Sequence, residues 1–252
     1  MNTDKTIYSL QTKLEEPWVD LPKNEDLSNW GREEEIAYNQ MNRQKEKAVF
    51  FMRTFDFLTD NRMIGDYYEF GCHRCRTFRM ALTEARRHNL DDTKFIAFDS
   101  FDGLPEPQYD GIDIWKRGAL TTSELDFMSM VKEQGHYLEN VSTIKGFYDE
   151  SLSTSLQKKL IETGRKPMLI NIDCDLYESA VPVLKFIEPL LQEGTVIYID
   201  DIFAGYKGSP IKGVARAFNE FRKNTNWKFV KHLDIGWFGR SYIAYQENEA
   251  NI

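Results

Sequence analysis

Several things are scarce in this 252-residue chain, and each scarcity removes a class of function. There is no basic excess: the formal net charge is -8, which argues against a nucleic-acid scaffold, because binding a polyanion normally needs a basic face, though a local basic patch is still open. No apolar run approaches the roughly twenty residues that span a bilayer. Met1 to Lys13 is polar, with no apolar core behind a basic start, so no secretory leader is expected and a cytoplasmic protein follows. Cysteine is sparse, and Cys72, Cys75 and Cys174 are too few and too oddly numbered for a disulfide framework. There is no internal repeat and no low-complexity tract. The remaining composition, 41% hydrophobic and 29% charged, is that of an ordinary globular chain, long enough for one α/β domain with a sizeable core.

What is present alternates. From Glu33 to Leu58 the residues Ile36, Met41, Val49, Met52, Phe55 and Leu58 recur at loose helical spacing and predict an amino-terminal helical region. Strand patterns follow at Tyr67 to Phe70, Phe95 to Phe98, Val141 to Ile144, Met168 to Ile172 and Thr195 to Ile199. Helical patterns stand between them at Thr77 to His88, Glu124 to Tyr137, Leu152 to Glu162 and Ser179 to Leu191, with another over Ile211 to Asn224. Trp227 to His232 and Ser241 to Gln246 alternate like an antiparallel hairpin. Five strands alternating with helices imply a doubly wound, mostly parallel α/β sheet, and the hairpin brings it to seven strands at one edge. The expected division is a helical cap over residues 1–60 and a catalytic domain over 61–252.

Two of those strands end in acid: Asp173 and Asp175 follow one, Asp200 and Asp201 the next. In an open α/β sheet ligands bind at the carboxyl ends of the strands, and like charges crowded there are best tolerated when they share a cation. The plain alternative is that these residues cap the following helices, but a helix needs one cap and here two adjacent strands each end in a pair. An all-oxygen ligand set suits magnesium, or manganese, better than zinc.

The first strand runs into Glu69-Phe70-Gly71-Cys72-His73-Arg74-Cys75, where Gly71 permits a tight turn and close approach of the backbone to a ligand. The later glycines of the dinucleotide fingerprint are missing, so a pyrophosphate has little room and a phosphate-free ligand such as S-adenosylmethionine fits better. Asp99, ending the second strand, is placed to accept hydrogen bonds from ribose hydroxyls, with a turn cap as the bland alternative. Cys72 and Cys75 have Cys-x-x-Cys spacing, but no second such pair completes a zinc centre and the strand order is wrong for a thioredoxin fold. Tyr109, Trp115, Trp237 and Phe238 fall in loops or near the hairpin, where they could stack on a substrate or simply pack.

Glu69-Phe70-Gly71, the run Phe98-Asp99-Ser100-Phe101-Asp102-Gly103-Leu104-Pro105, Asp173-Cys174-Asp175-Leu176-Tyr177-Glu178-Ser179 and Asp200-Asp201 together resemble the macrocin O-methyltransferase (TylF and MycF) family, from about Gly65 to Phe221. The family's first motif usually has glycines where Cys75 and Arg76 stand here. The resemblance implies a class I S-adenosylmethionine-dependent O-methyltransferase with a Rossmann-like sheet, acting with magnesium on sugar hydroxyls. It implies Glu69, Gly71, Asp99 and Ser100 as cofactor-binding residues, Asp173, Asp200 and Asp201 as metal ligands, and Asp173 as general base. It also implies that the amino-terminal helices and the loop from Pro105 to Gly118 cover the acceptor.

The expected acceptor is a glycosylated natural product, a nucleotide sugar or a polysaccharide precursor, with no nucleic acid or membrane partner and a homo-oligomeric assembly. A methyltransferase of an amine or phenol on the same scaffold is the second reading, separable by metal dependence, since an amine needs no alkoxide stabilisation. A catalytically silent cofactor-binding scaffold is the third, and the retained acids speak against it.

Overall fold

A computed structural model describes residues 28–109 and 115–247. The leader reading of Met1 to Lys13 and part of the loop from Pro105 to Gly118 lie outside the described residues. The chain divides into two compact units between Asn42 and Arg43, inside the first helix. In the first unit the rings of Trp30 and Tyr38 pack at 5.1 Å and Arg32 pairs with Glu35.

The second unit is organised by central strands that bury both faces, which is why they read as continuous apolar runs. The strands are β1 (Asp66–Phe70), β2 (Phe95–Asp99), β3 (Val141–Lys145), β4 (Pro167–Ile172), β5 (Val196–Ile199), β6 (Lys228–Ile235) and β7 (Gly239–Tyr245), in the order β3-β2-β1-β4-β5-β7-β6. The first five are mutually parallel, and β7 pairs antiparallel with both β5 and β6. This is the doubly wound sheet with a terminal antiparallel hairpin that the sequence predicts.

Alternation along β1 divides the core. Tyr68 and Phe70 face one cluster, with Phe98, Ile170, Ile172 and the helices α6 (Tyr177–Ile187) and α7 (Gly213–Asn224). Tyr67 faces the other, with Phe50, Phe51, Phe55 and Leu58 of α1 (Arg32–Asp60), α2 (Arg76–Arg87) and α3 (Glu124–Gln134). The short α4 (Tyr148–Ser151) and α5 (Thr154–Glu162) complete the described helices. Among the described residues no helix is long and apolar enough to cross a membrane.

The helix expected before the sheet is present, but its buried stripe differs from the expected one. Ile36, Met41, Val49 and Met52 are exposed, and the buried residues are Lys47, Phe50, Phe51, Thr54, Phe55 and Leu58. A lysine and a threonine inside that stripe blur its apolar period. Phe238 is likewise a core residue, whereas Trp237 beside it is 67% exposed.

Candidate active site

The carboxyl ends of β1, β2, β4 and β5 carry every residue assigned a role from the sequence. Gly71 leaves β1 with φ +90°, and a Cβ built there would lie 1.9 Å from the carbonyl oxygen of Asp173. The same approach is fastened by hydrogen bonds from Asp173 N to Phe70 O (2.8 Å) and from Gly71 N to Phe98 O (3.0 Å). Gly71 therefore sets where the acid at the end of β4 stands, besides leaving room for a ligand.

Asp99 ties two loops together: Oδ2 accepts from Cys72 N at 2.6 Å and Oδ1 from Phe101 N at 2.7 Å. The second bond is the turn role anticipated as the alternative, yet each carboxylate oxygen keeps a lone pair for another donor. Burial raises the Asp99 pKa, against the lowering effect of those amides. The Ser100 hydroxyl donates to Gly103 O at 2.7 Å and accepts from Asp102 N, so it shapes the turn.

Glu69 is fully buried and accepts from Tyr67 and, at 2.8 Å, from Thr77. Asn171, its cross-strand neighbour, lies beside it with neither amide atom in hydrogen-bonding geometry to a protein group. Burial pushes the Glu69 pKa up to about 7, with the Tyr67 and Thr77 hydroxyls opposing the shift. A carboxyl raised in the folded state favours folding when protonated, so its contribution is present below about pH 4.5 and is lost as pH rises through 7. Glu69→Gln should therefore be more stable than wild type at pH 8, by on the order of 3 kcal/mol, and so melt higher, with the gap closing toward pH 5. Calorimetric melting of the ligand-free protein across that range checks this, and a gap independent of pH would contradict it.

The acids at the ends of β4 and β5 do converge. Asp173, Asp175 and Asp201 each offer an oxygen, all within 4.8 Å of one another. They do not cap helices: Leu176 is the cap residue of α6 and Lys212 that of α7, neither making a side-chain cap bond, whereas Ser123 and Ser153 do cap α3 and α5. Asp175 and Asp201 adopt φ of 60° and 51°, left-handed backbone that aspartate tolerates better than most residues. Asp200 lies beside Asp173, sharing Lys47 with it, and accepts from Tyr198 on Oδ1 and from Lys47 on Oδ2 at 2.6 Å.

Two cations, neither assigned a role from the sequence, meet the cluster. Lys47 Nζ also lies 2.9 Å from Asp173 Oδ2, and Arg43 Nη2 lies 2.8 Å from Asp201 Oδ1 and 3.8 Å from Asp200 Oδ2. The Arg43 guanidinium stacks 4.3 Å over Phe238. Burial and the neighbouring Asp200 drive the Asp173 pKa well up, with Lys47 opposing them. Burial and Asp201 raise that of Asp175, and burial and Asp200 that of Asp201. Burial, the largest single effect, would raise Asp200 too, but Lys47, a hydrogen bond with Asp173 and Arg43 together outweigh it and hold that carboxyl down at about 2. The sequence signal for the cations was Arg43 and Lys47, four apart on a helix, with Lys47 interrupting a buried stripe.

The thiols of Cys72, Cys75 and Cys174 are free and buried, and burial raises the pKa of each, so none is poised as a thiolate. Of the rim aromatics, Tyr109 is half exposed and meets Tyr177 edge-on at 5.6 Å.

Comparison with solved structures agrees with this fold. The O-methyltransferase NovP superposes with a TM-score of 0.63 at 20% identity, over 79% of each chain. The calicheamicin methyltransferase CalS11 gives a TM-score of 0.63 at 16% identity, over 89% of this chain and 86% of that one. TomG from Streptomyces achromogenes, solved with S-adenosylmethionine, gives 0.50 at 11% identity, over 79% and 80%. No curated protein matches the sequence. The macrocin-O-methyltransferase (TylF) family profile matches residues 30–239, and the chain belongs to that family of methyltransferases.

Proposed function

We propose that the protein is an S-adenosylmethionine-dependent O-methyltransferase acting on a sugar hydroxyl of a glycosylated small molecule or nucleotide sugar, with a divalent cation at its acidic cluster. The observation that carries this reading is the convergence of Asp173, Asp175 and Asp201 beside the Gly71 and Asp99 loops. Family membership supplies the methyl-transfer chemistry, and CalS11, also described as a TDP-rhamnose 3'-O-methyltransferase, supports a sugar acceptor.

The residues divide the work. Asp99 accepts from the ribose hydroxyls of the cofactor, with Glu69, Gly71 and Ser100 shaping the wall around it. Asp173, Asp200 and Asp201 are the proposed metal ligands. The donor set fits a hard cation, because buried carboxylate oxygens converge and no thiol or imidazole joins them among the described residues. The near group contains Asp175, while Asp200 reaches the site through Lys47. Magnesium bound there would lower the pKa of the acceptor hydroxyl and offset the charge of the alkoxide. Asp173 takes the hydroxyl proton in the leading assignment. Asp175 is a second candidate base, since neither Lys47 nor Arg43 lies within ion-pair distance of it.

Labelled S-adenosylmethionine incubated with nucleotide sugars and glycosides, with and without chelator, tests the reading; transfer only to amines or phenols, or to no acceptor, would overturn it. Asp99→Ala should weaken cofactor binding at least tenfold, because charge-assisted hydrogen bonds worth roughly 1.5–3 kcal/mol are lost. Titration calorimetry checks this, and equal affinities would remove the cofactor from this position.

A further inference from the structure

Lysine is almost never fully buried without a partner. Lys47 is 5% exposed, on a helix face it shares with Phe50, Phe51, Phe55 and Leu58. Its ammonium spans the ends of two adjacent strands, touching Asp173 from β4 and Asp200 from β5. Tyr198 takes the other Asp200 oxygen, so both oxygens of Asp200 have protein partners. Arg43, one helical turn earlier, covers Asp201 from the same side. An ammonium is a compact point charge with three donors, and placed between two carboxylates it meets the same requirement as a metal ion would.

We propose that Lys47 is a resident counter-cation of the acidic site, which holds Asp173 and Asp200 together without metal and thereby lowers the affinity of the site for a divalent ion. The inference rests on the reading that the cluster takes such an ion. Lys47 and Arg43 offset part of the negative charge that Asp173, Asp175, Asp200 and Asp201 bring together. With Lys47 present, the place between Asp173 and Asp200 is filled, and an ion that takes these carboxylates as ligands competes with the ammonium for them. Without it the site has one positive charge fewer and the bridging place is open. Lys47 is thus a positioning residue, coupling helix α1 to the ends of β4 and β5.

The test is Mn2+ binding to the full chain, read from the paramagnetic resonance signal of free Mn2+, with no cofactor or acceptor present. Lys47→Met should bind Mn2+ at least tenfold more tightly than wild type, given one cation removed at contact distance, and Lys47→Arg should stay near wild type. In chelator Lys47→Met should melt below wild type, and Mn2+ should close the gap. If the variant does not fold in chelator, recovery of its near-ultraviolet circular dichroism on adding Mn2+ supports the proposal, and failure to recover overturns it. Wild type binding Mn2+ with Lys47→Met binding equally or more weakly overturns the role of Lys47 alone. Absence of binding to both proteins overturns the divalent-ion reading together with this one.

Discussion

Gly71→Ala is expected to lose at least a hundredfold in turnover and to melt several degrees below wild type. The new Cβ would meet the carbonyl oxygen of Asp173 at 1.9 Å and its carbon at 2.8 Å, both backbone atoms that cannot rotate aside. Relief requires moving the end of β4 away from β1, against the hydrogen bond from Asp173 N to Phe70 O. The φ of +90° adds strain for any L side chain. Overpacking of this kind costs typically 1–3 kcal/mol, and misplacing a reacting group by about 1 Å can cost a hundredfold in rate. Thermal melting with single-turnover methyl transfer measures both effects. Wild-type turnover in this variant would mean that the position of Asp173 does not matter to the reaction.

Asp173→Asn should be the most damaging of the acid substitutions for catalysis, with kcat lowered about a thousandfold and no rescue by added magnesium or manganese. General-base contributions of roughly a hundredfold to ten-thousandfold set the scale, and a metal charge is lost besides. Chelation of wild type should abolish transfer while leaving cofactor binding nearly intact. Asp200→Asn should instead lose stability more than rate, because it breaks one side of the buried contact with Lys47, and removing one partner of a buried pair costs roughly 3–5 kcal/mol. Asp200 is held low, so its contribution is complete above about pH 3.8 and disappears only as pH falls through 2. Steady-state kinetics with and without chelator, beside melting curves for the two variants, separates these roles. Full activity in excess chelator, or wild-type turnover in Asp173→Asn, would leave a methyltransferase that works by positioning alone.

The strands were legible because buried parallel strands are short and apolar, and because Asp173 and Asp200 mark the very residues where β4 and β5 end. The hairpin was legible from its alternation. What escaped was whatever depends on contacts distant in sequence. Lys47 meets partners 126 and 153 residues away, and nothing in its own neighbourhood announces them. The same pairing hid the buried face of α1: a lysine satisfied by two aspartates reads as a surface residue, so Ile36, Met41, Val49 and Met52 drew the apolar stripe to the wrong side. The left-handed backbone at Asp175 and Asp201 is equally silent in sequence, since aspartate serves in many ordinary turns.

The strand order also bears on how the chain is made. β7 is the last of the sheet's strands to leave the ribosome, yet it lies between β5 and β6, pairing Val196 with Ile243 and Ile197 with Tyr242. Until Tyr245 has emerged, β5 keeps an apolar, unpaired edge, the kind of edge that recruits foreign strands. The acids that follow β5 are thus held in a provisional setting until β7 is made. A nascent chain of this protein is sticky until its final strand slots in, which makes the closing residues of the sheet a requirement for solubility as well as for shape.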